Sequence, residues 1–194
     1  MNRRDALQRM MTVTGTVLIG AEFFLSGCSR PAPGRAVSFS PEEIATLDEI
    51  ADTIIPTTTT PGAKAAAVGR FMADVVRDCY DDASYALFRN GIASVDKVAQ
   101  KRFGKPFVQV SASDRTALLN ELDAEQKAHT KNRKAGDGPH YFTLMKNLTL
   151  LGYFSSEIGS TKALRYVESP GSYNGDVPYK KGDRGYFNPS RRVS

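Results

Sequence analysis

The chain has 194 residues and a mass of 21.2 kDa, enough for one domain with a sizeable core and short for two. Hydrophobic residues make up 41% and charged residues 24%, with 16 Gly and 10 Pro, a globular composition that excludes wholesale disorder and a polytopic membrane protein. The 26 Lys and Arg exceed the 21 Asp and Glu by only +5, too few to argue for nucleic acid without clustering on one face. Two Cys, two His and no Trp leave no inventory for a disulfide-rich scaffold, a four-ligand structural zinc site or C-x-x-C-H haem attachment.

Residues 1–27 read as an export signal. Arg3 and Arg4 precede an apolar stretch from Met10 to Leu25 in which Glu22 is the one charge, the basic-then-apolar layout of a leader. The stretch is too short and too rich in Thr and Gly for a membrane span. Its weak apolarity, behind Arg3-Arg4-Asp5-Ala6-Leu7, fits a twin-arginine signal better than the general secretory route. The ending Leu25-Ser26-Gly27-Cys28 resembles a bacterial lipobox, in which the cysteine sulfur takes a diacylglyceryl group and the peptidase cuts before it. Two or more acyl chains make a stable anchor where one does not. Cys28 is therefore expected to be the lipidated first residue of a tethered protein, and Ser29 in place of Asp leaves outer-membrane delivery open.

Removing the leader takes away three Arg, Asp5 and Glu22, which leaves 23 basic and 19 acidic residues, a net charge of +4. Cys79 then remains as the one side-chain thiol, either a buried small hydrophobe or a free thiol able to cross-link a partner, and no internal disulfide is possible.

Residues 28–39, with Pro31, Pro33 and Gly34, read as a tether. Ser40-Pro41-Glu42-Glu43 carries the signature of a helix start, with a capping Ser, Pro at the first helical position and Glu43 completing a capping box. Ile44, Leu47, Ile50 and Ile54 give that helix an apolar face, and Pro56 stops it. A second helix is predicted over Ala63 to Cys79 with Val68, Phe71 and Val75 inward. A third covers Asp81 to Phe103 with Phe88, Ile92 and Val95. After the break at Gly104 and Pro106, Ser113-Asp114 is predicted to open a fourth, carrying Leu118 and Leu122. Residues 130–139 read as a polar loop. From Tyr141 the pattern Phe142, Met145, Leu148, Leu151 resumes a helix towards Gly152, and beyond Pro170 nothing is periodic. The expected fold is all-α, a bundle of about five to six helices with an irregular C-terminal arm.

A search for catalytic groupings returns negatives. There is no phosphate loop, no G-x-G-x-x-G after a strand and no G-x-S-x-G elbow. His129, beside Lys127 and Lys131, reads as solvated, and His140 as a structural or capping residue. Glu42/Glu43 and Asp81/Asp82 sit at helix starts, where the macrodipole accounts for them. Asn147-Leu148-Thr149 is a sequon inside a helix and is discounted. Lys180, Lys181, Arg184, Arg191 and Arg192 with Tyr179 and Tyr186 form a basic aromatic tail, read as solvated or partner-docking, since an exported lipoprotein meets no nucleic acid.

The segment Leu148-Thr149-Leu150-Leu151-Gly152-Tyr153-Phe154-Ser155-Ser156-Glu157-Ile158-Gly159-Ser160-Thr161-Lys162-Ala163-Leu164, followed by Tyr166 and Pro170-Gly171-Ser172-Tyr173, resembles the hallmark of the gluconate 2-dehydrogenase subunit 3 family. Ala51-Asp52-Thr53-Ile54-Ile55-Pro56 and Pro61-Gly62-Ala63 are similar to the family's opening. The resemblance covers about residues 40–179, which leaves 180–194 as a basic tail. It implies a non-catalytic small subunit of a periplasmic dehydrogenase for sugars, sugar acids or polyols. FAD then belongs to a large partner of the glucose-methanol-choline type, and haem c, in those complexes that have one, to a cytochrome subunit that takes the electrons. It also implies that the small subunit supplies the twin-arginine signal for a folded pair, which suits a chain with such a signal and no cofactor site of its own. The pattern departs at Asp176, where many members carry a cysteine that pairs with one near Cys79. Within the motif, Gly152 and Gly159 are assigned to close backbone approach, Tyr153, Phe154 and Tyr173 to packing or to the subunit interface, and Glu157 to a buried cap or ion pair. Pro170 and Gly171 complete the motif. The alternatives are a free-standing periplasmic scaffolding lipoprotein and, with little support, a hydrolase built around His140.

Overall fold

The computed structural model describes residues 38–134, 136–168, 171 and 176–187. The expectations at Arg3, Arg4 and Cys28, and those at Pro170 and Tyr173, lie outside these residues. The described part is all-α, as expected, with five α-helices, a 3₁₀ turn and a short π-helix. None of the helices in it is long and apolar enough to cross a membrane.

Helix α1 (Pro41–Ile54) begins as the sequence predicts. The Ser40 hydroxyl accepts the Glu43 N–H at 3.2 Å, and the Glu43 carboxylate accepts the Ser40 N–H at 2.8 Å. Glu43 also pairs with Arg89 of the third helix at 2.9 Å, so one side chain caps α1 and ties it across the bundle. Leu47 and Ile50 are fully buried, and Ile44 and Ile54 are half-buried. Further along α1, Glu49 joins both Lys64 and Arg115.

Helix α2 (Val68–Cys79) starts five residues later than Ala63, and residues 63–67 form a turn instead. The alanine run has the propensity for helix, but tertiary structure fixes the start. The Asp48 carboxylate on α1 accepts the Gly69 N–H at 2.9 Å, and Ala67 turns into the left-handed region at φ 51°. A Cβ on Gly69 would lie 2.5 Å from the Asp48 carboxylate, so α2 rests on α1 at this glycine. That contact rolls Met72 and Val76 into the core beside Val68, and leaves the predicted Phe71 and Val75 half-buried.

Helix α3 (Asp82–Phe103) is capped by Asp81, which accepts the Ser84 N–H at 2.7 Å, and ends at Gly104 with φ 68°. Phe88, Ile92 and Val95 face inward as predicted. The 3₁₀ turn Phe107–Gln109 buries Phe107 completely, with its N–H on the Asp96 carboxylate at 2.9 Å. Helix α4 (Ala112–Asn132) opens one residue earlier than Ser113-Asp114 suggested, because Ser111 accepts the Asp114 N–H. It also runs three residues into the predicted loop, which begins at Arg133. Helix α5 (Tyr141–Ser155) is capped by His140. Its buried set is Phe142, Met145, Leu148, Thr149, Gly152 and Tyr153, whereas Leu151, predicted inside, is 56% exposed. Helices α1 and α5 each pack against all four of the other α-helices, so α5 and its ends are set by the whole bundle.

The C-terminal arm is irregular yet attached. Arg165 donates its N–H to Gly185 at 2.8 Å and accepts from Phe187 at 2.9 Å, a parallel bridge. Arg184 donates to the carbonyls of Thr161 and Lys162, the open end of the π-helix Gly159–Ala163, where a cation suits the local dipole. The Arg165 guanidinium stacks over Tyr186 and the Tyr166 ring lies 5.9 Å from Phe187. Backbone bridging and arginine clamps hold the arm to the end of the bundle.

Candidate functional site

The two segments that carry the resemblance, 51–63 and 148–164, meet in space. The loop between α1 and α2 closes on itself: Ala63 donates to the Ile55 carbonyl at 2.9 Å, and Gly62 donates to the Thr57 hydroxyl at 3.0 Å. A Cβ on Gly62 would lie 2.6 Å from the Thr57 nitrogen and 2.8 Å from the Asp52 carboxylate, so the loop needs glycine there. Against this loop Tyr153 is buried to 2% exposure, and its hydroxyl donates to the Pro61 carbonyl at 2.7 Å. That bond is the direct tie between the two motifs.

Tyr153 is fixed from its other side as well. The Ser156 hydroxyl donates to the Tyr153 carbonyl at 2.6 Å and accepts the Gly159 N–H at 3.0 Å, which folds the chain tightly into the π-helix. A side chain on Gly159 would overlap the Tyr153 carbonyl oxygen, and one on Gly152 would lie 2.5 Å from the Phe71 ring. At Gly159 the close neighbour is backbone, whereas at Gly152 it is the Phe71 ring of α2. Glu157, expected as a buried cap or ion pair, is exposed, and its backbone carbonyl does the work by accepting from Ser160 and Thr161. The inward positions of this turn are taken by Gly159 and Ser160, which are buried. Gly171 is exposed with φ 70°, a conformation that favours glycine.

Beside this rigid junction, α5 exposes an apolar face. Leu150 is 41%, Leu151 56% and Phe154 37% exposed, and their offsets of one, three and four residues place them together on one side of the helix. The adjacent aromatics thus divide: Tyr153 belongs to the core, and Phe154 stands at the surface with its ring edge-on to Tyr153 at 5.2 Å. Leu150 and Leu151 were missed by sequence reading; the signal was present, since two adjacent leucines cannot both lie on an inward stripe already filled by Leu148 and Gly152.

The titratable groups elsewhere have structural work. His140 accepts the Phe142 N–H at 3.2 Å through Nδ1, with its side chain 10% exposed. Burial, opposed by Glu125, holds its imidazole below the usual histidine range. His129 is exposed on α4 with its ring 5.8 Å away. Asp123 lines a cleft of about 230 Å³ with Thr53, Asn120 and Lys146. Lys127 and Lys146 hold its carboxyl far below the usual carboxylate range, which makes it a standing ion pair and a poor proton donor or acceptor near neutral pH. Cys79 is an exposed free thiol, which removes the buried-hydrophobe alternative. Among the described residues no cluster of three or more His, Cys, Asp or Glu is placed to hold a metal ion.

The family described as Gluconate 2-dehydrogenase subunit 3 matches residues 41–171, two-thirds of the chain and all five of the described α-helices. No curated protein and no solved structure matches significantly. The motif junction at Tyr153 and Pro61 lies wholly within the matched residues, and the chain belongs to the gluconate 2-dehydrogenase subunit 3 family.

Proposed function

We propose that this chain is the non-catalytic small subunit of a periplasmic FAD-dependent dehydrogenase for sugars, sugar acids or polyols. It escorts its flavoprotein through twin-arginine export and tethers it to the membrane by lipid on Cys28. The family supplies the coarse role, an accessory subunit of a dehydrogenase complex. The observation that carries the finer reading is the exposed face of Leu150, Leu151 and Phe154, which lies within the motif while Leu148, Gly152 and Tyr153 beside it are buried in the bundle. An apolar patch on a rigid helix is the kind of surface a permanent partner covers. The leader adds its own support: Arg3 and Arg4 suit folded cargo, and a folded cofactor protein is the cargo that needs such a route. In this reading FAD lies in the large partner, and a cytochrome c subunit takes the electrons where the complex has one.

The test is export in cells that make both proteins. Replacing Arg3 and Arg4 together by Lys is expected to strand the small subunit and the flavoprotein in the cytoplasm, read by fractionation and flavin fluorescence. Normal export of the flavoprotein in that strain would contradict the escort role. Cys28→Ala is expected to abolish incorporation of labelled fatty acid.

A further inference from the structure

The cap of α5 is a titratable ring, and this has a use that the proposed role does not require. The Phe142 N–H can donate to His140 Nδ1 only when that nitrogen keeps its lone pair, which puts the ring proton on Nε2, the atom facing Glu125 at 3.7 Å. From these contacts we propose that His140 is an acid-released latch: a second proton on Nδ1 breaks the cap and frees the first turn of α5 together with residues 136–140 that lead into it.

The surroundings set the direction. The first helical bond of α5, from the Thr143 N–H to the His140 carbonyl at 3.0 Å, hangs from the same residue. A cation at this position faces the unpaired N–H groups of a helix start, where positive charge is unfavourable. From α4, His129 adds repulsion when it is charged, and Glu125 opposes it. From α5 itself, the Tyr141 ring packs on His140 at 4.4 Å and excludes water from one face. Tyr141 is in turn pressed against α3, where a Cβ on Gly91 would lie 2.6 Å from its ring, so the ring has no room to follow a moving imidazole. Residues 136–138, just before His140, are exposed, and Asp137 makes short-range bonds to Lys134 and Arg133. The neutral ring is favoured in the fold, so the latch is closed above the unfolded histidine value of about 6.5 and opens as pH falls below it.

Amide hydrogen exchange on the full chain tests this, corrected for the intrinsic pH dependence of exchange. Protection at Phe142 and Thr143 is expected to fall about fivefold between pH 7.5 and 5.0, the factor a lost cap implies, with amides in the middle of α5 unchanged. His140→Asn keeps an acceptor that does not titrate and should flatten that response. His129→Ala should keep the response and move its midpoint to higher pH. Constant protection in the native chain, or an unaltered fall in His140→Asn, would overturn the latch. Nitrogen NMR of the native imidazole is independent of any variant: a proton on Nε2 at pH 7.5 supports the proposal, and a proton on Nδ1 refutes it.

Discussion

Replacing Tyr153 by Phe deletes one oxygen and leaves the packing of the ring in place. The hydroxyl is bonded to the Pro61 carbonyl at 2.7 Å, across 92 residues of sequence, and the side chain is 2% exposed. A net hydrogen bond contributes about 1 kcal/mol, and a buried carbonyl left without its donor costs about 1–3 kcal/mol. Pro61 is half-buried, so water reaches its carbonyl in part, and the expected loss lies near the lower end, about 1–1.5 kcal/mol. For a domain of this size that is a fall in Tm of roughly 2–6 °C. Circular dichroism of the full chain during heating measures it. The substitution leaves Leu150, Leu151 and Phe154 untouched, so capture of the partner flavoprotein should not change. An unchanged Tm would refute the tie between the two motifs, and a normal Tm with lost capture would move Tyr153 from the core to the interface.

Gly159→Ala places a methyl group on the Tyr153 carbonyl oxygen, and the backbone there cannot yield cheaply, so destabilisation of at least about 2 kcal/mol is expected from the urea midpoint; a midpoint equal to the native one would show that the π-helix relaxes freely. Asp123→Asn removes a carboxylate whose folded pKa is depressed by Lys127 and Lys146. The stability that this carboxylate contributes is present above the unfolded aspartate value of about 3.9 and is lost as pH falls through the folded value. The native chain should therefore exceed Asp123→Asn in stability at pH 7, and the gap should narrow steadily as pH falls below about 4. A gap of the same size at pH 7 and pH 2 would place the effect in packing.

Local chemistry made much of the fold legible. The capping box at Ser40 and Glu43, the period of Phe88, Ile92 and Val95, and the break at Gly104 and Pro106 all depend on neighbours in sequence, and all three appear where the sequence put them. The start of α2 did not, because Asp48 from another helix decides it. The arm was opaque for the same reason: Arg165 with Gly185 and Phe187, and Arg184 with Thr161 and Lys162, are pairings about twenty residues apart without periodicity. In the site, Gly152 and Gly159 were readable as close approaches, since glycine in a helical stretch asks for a packing reason. The division between Tyr153 and Phe154 was not, because two adjacent aromatics carry no sign of which one faces inward until the stripe through Met145, Leu148 and Gly152 fixes the rotation of α5.

The most direct measurement is affinity capture of the tagged full chain from cells that also make the flavoprotein, with flavin absorbance and subunit ratio as the readout. The native chain is expected to bring down an FAD protein at about 1:1. A double substitution, Leu150→Gln with Leu151→Gln, changes the two most exposed positions of this face without adding charge, and should lose the flavoprotein while keeping its Tm. A native chain recovered without flavin, or a double variant that captures the flavoprotein as well as the native chain does, would contradict the assignment of this face to a dehydrogenase partner.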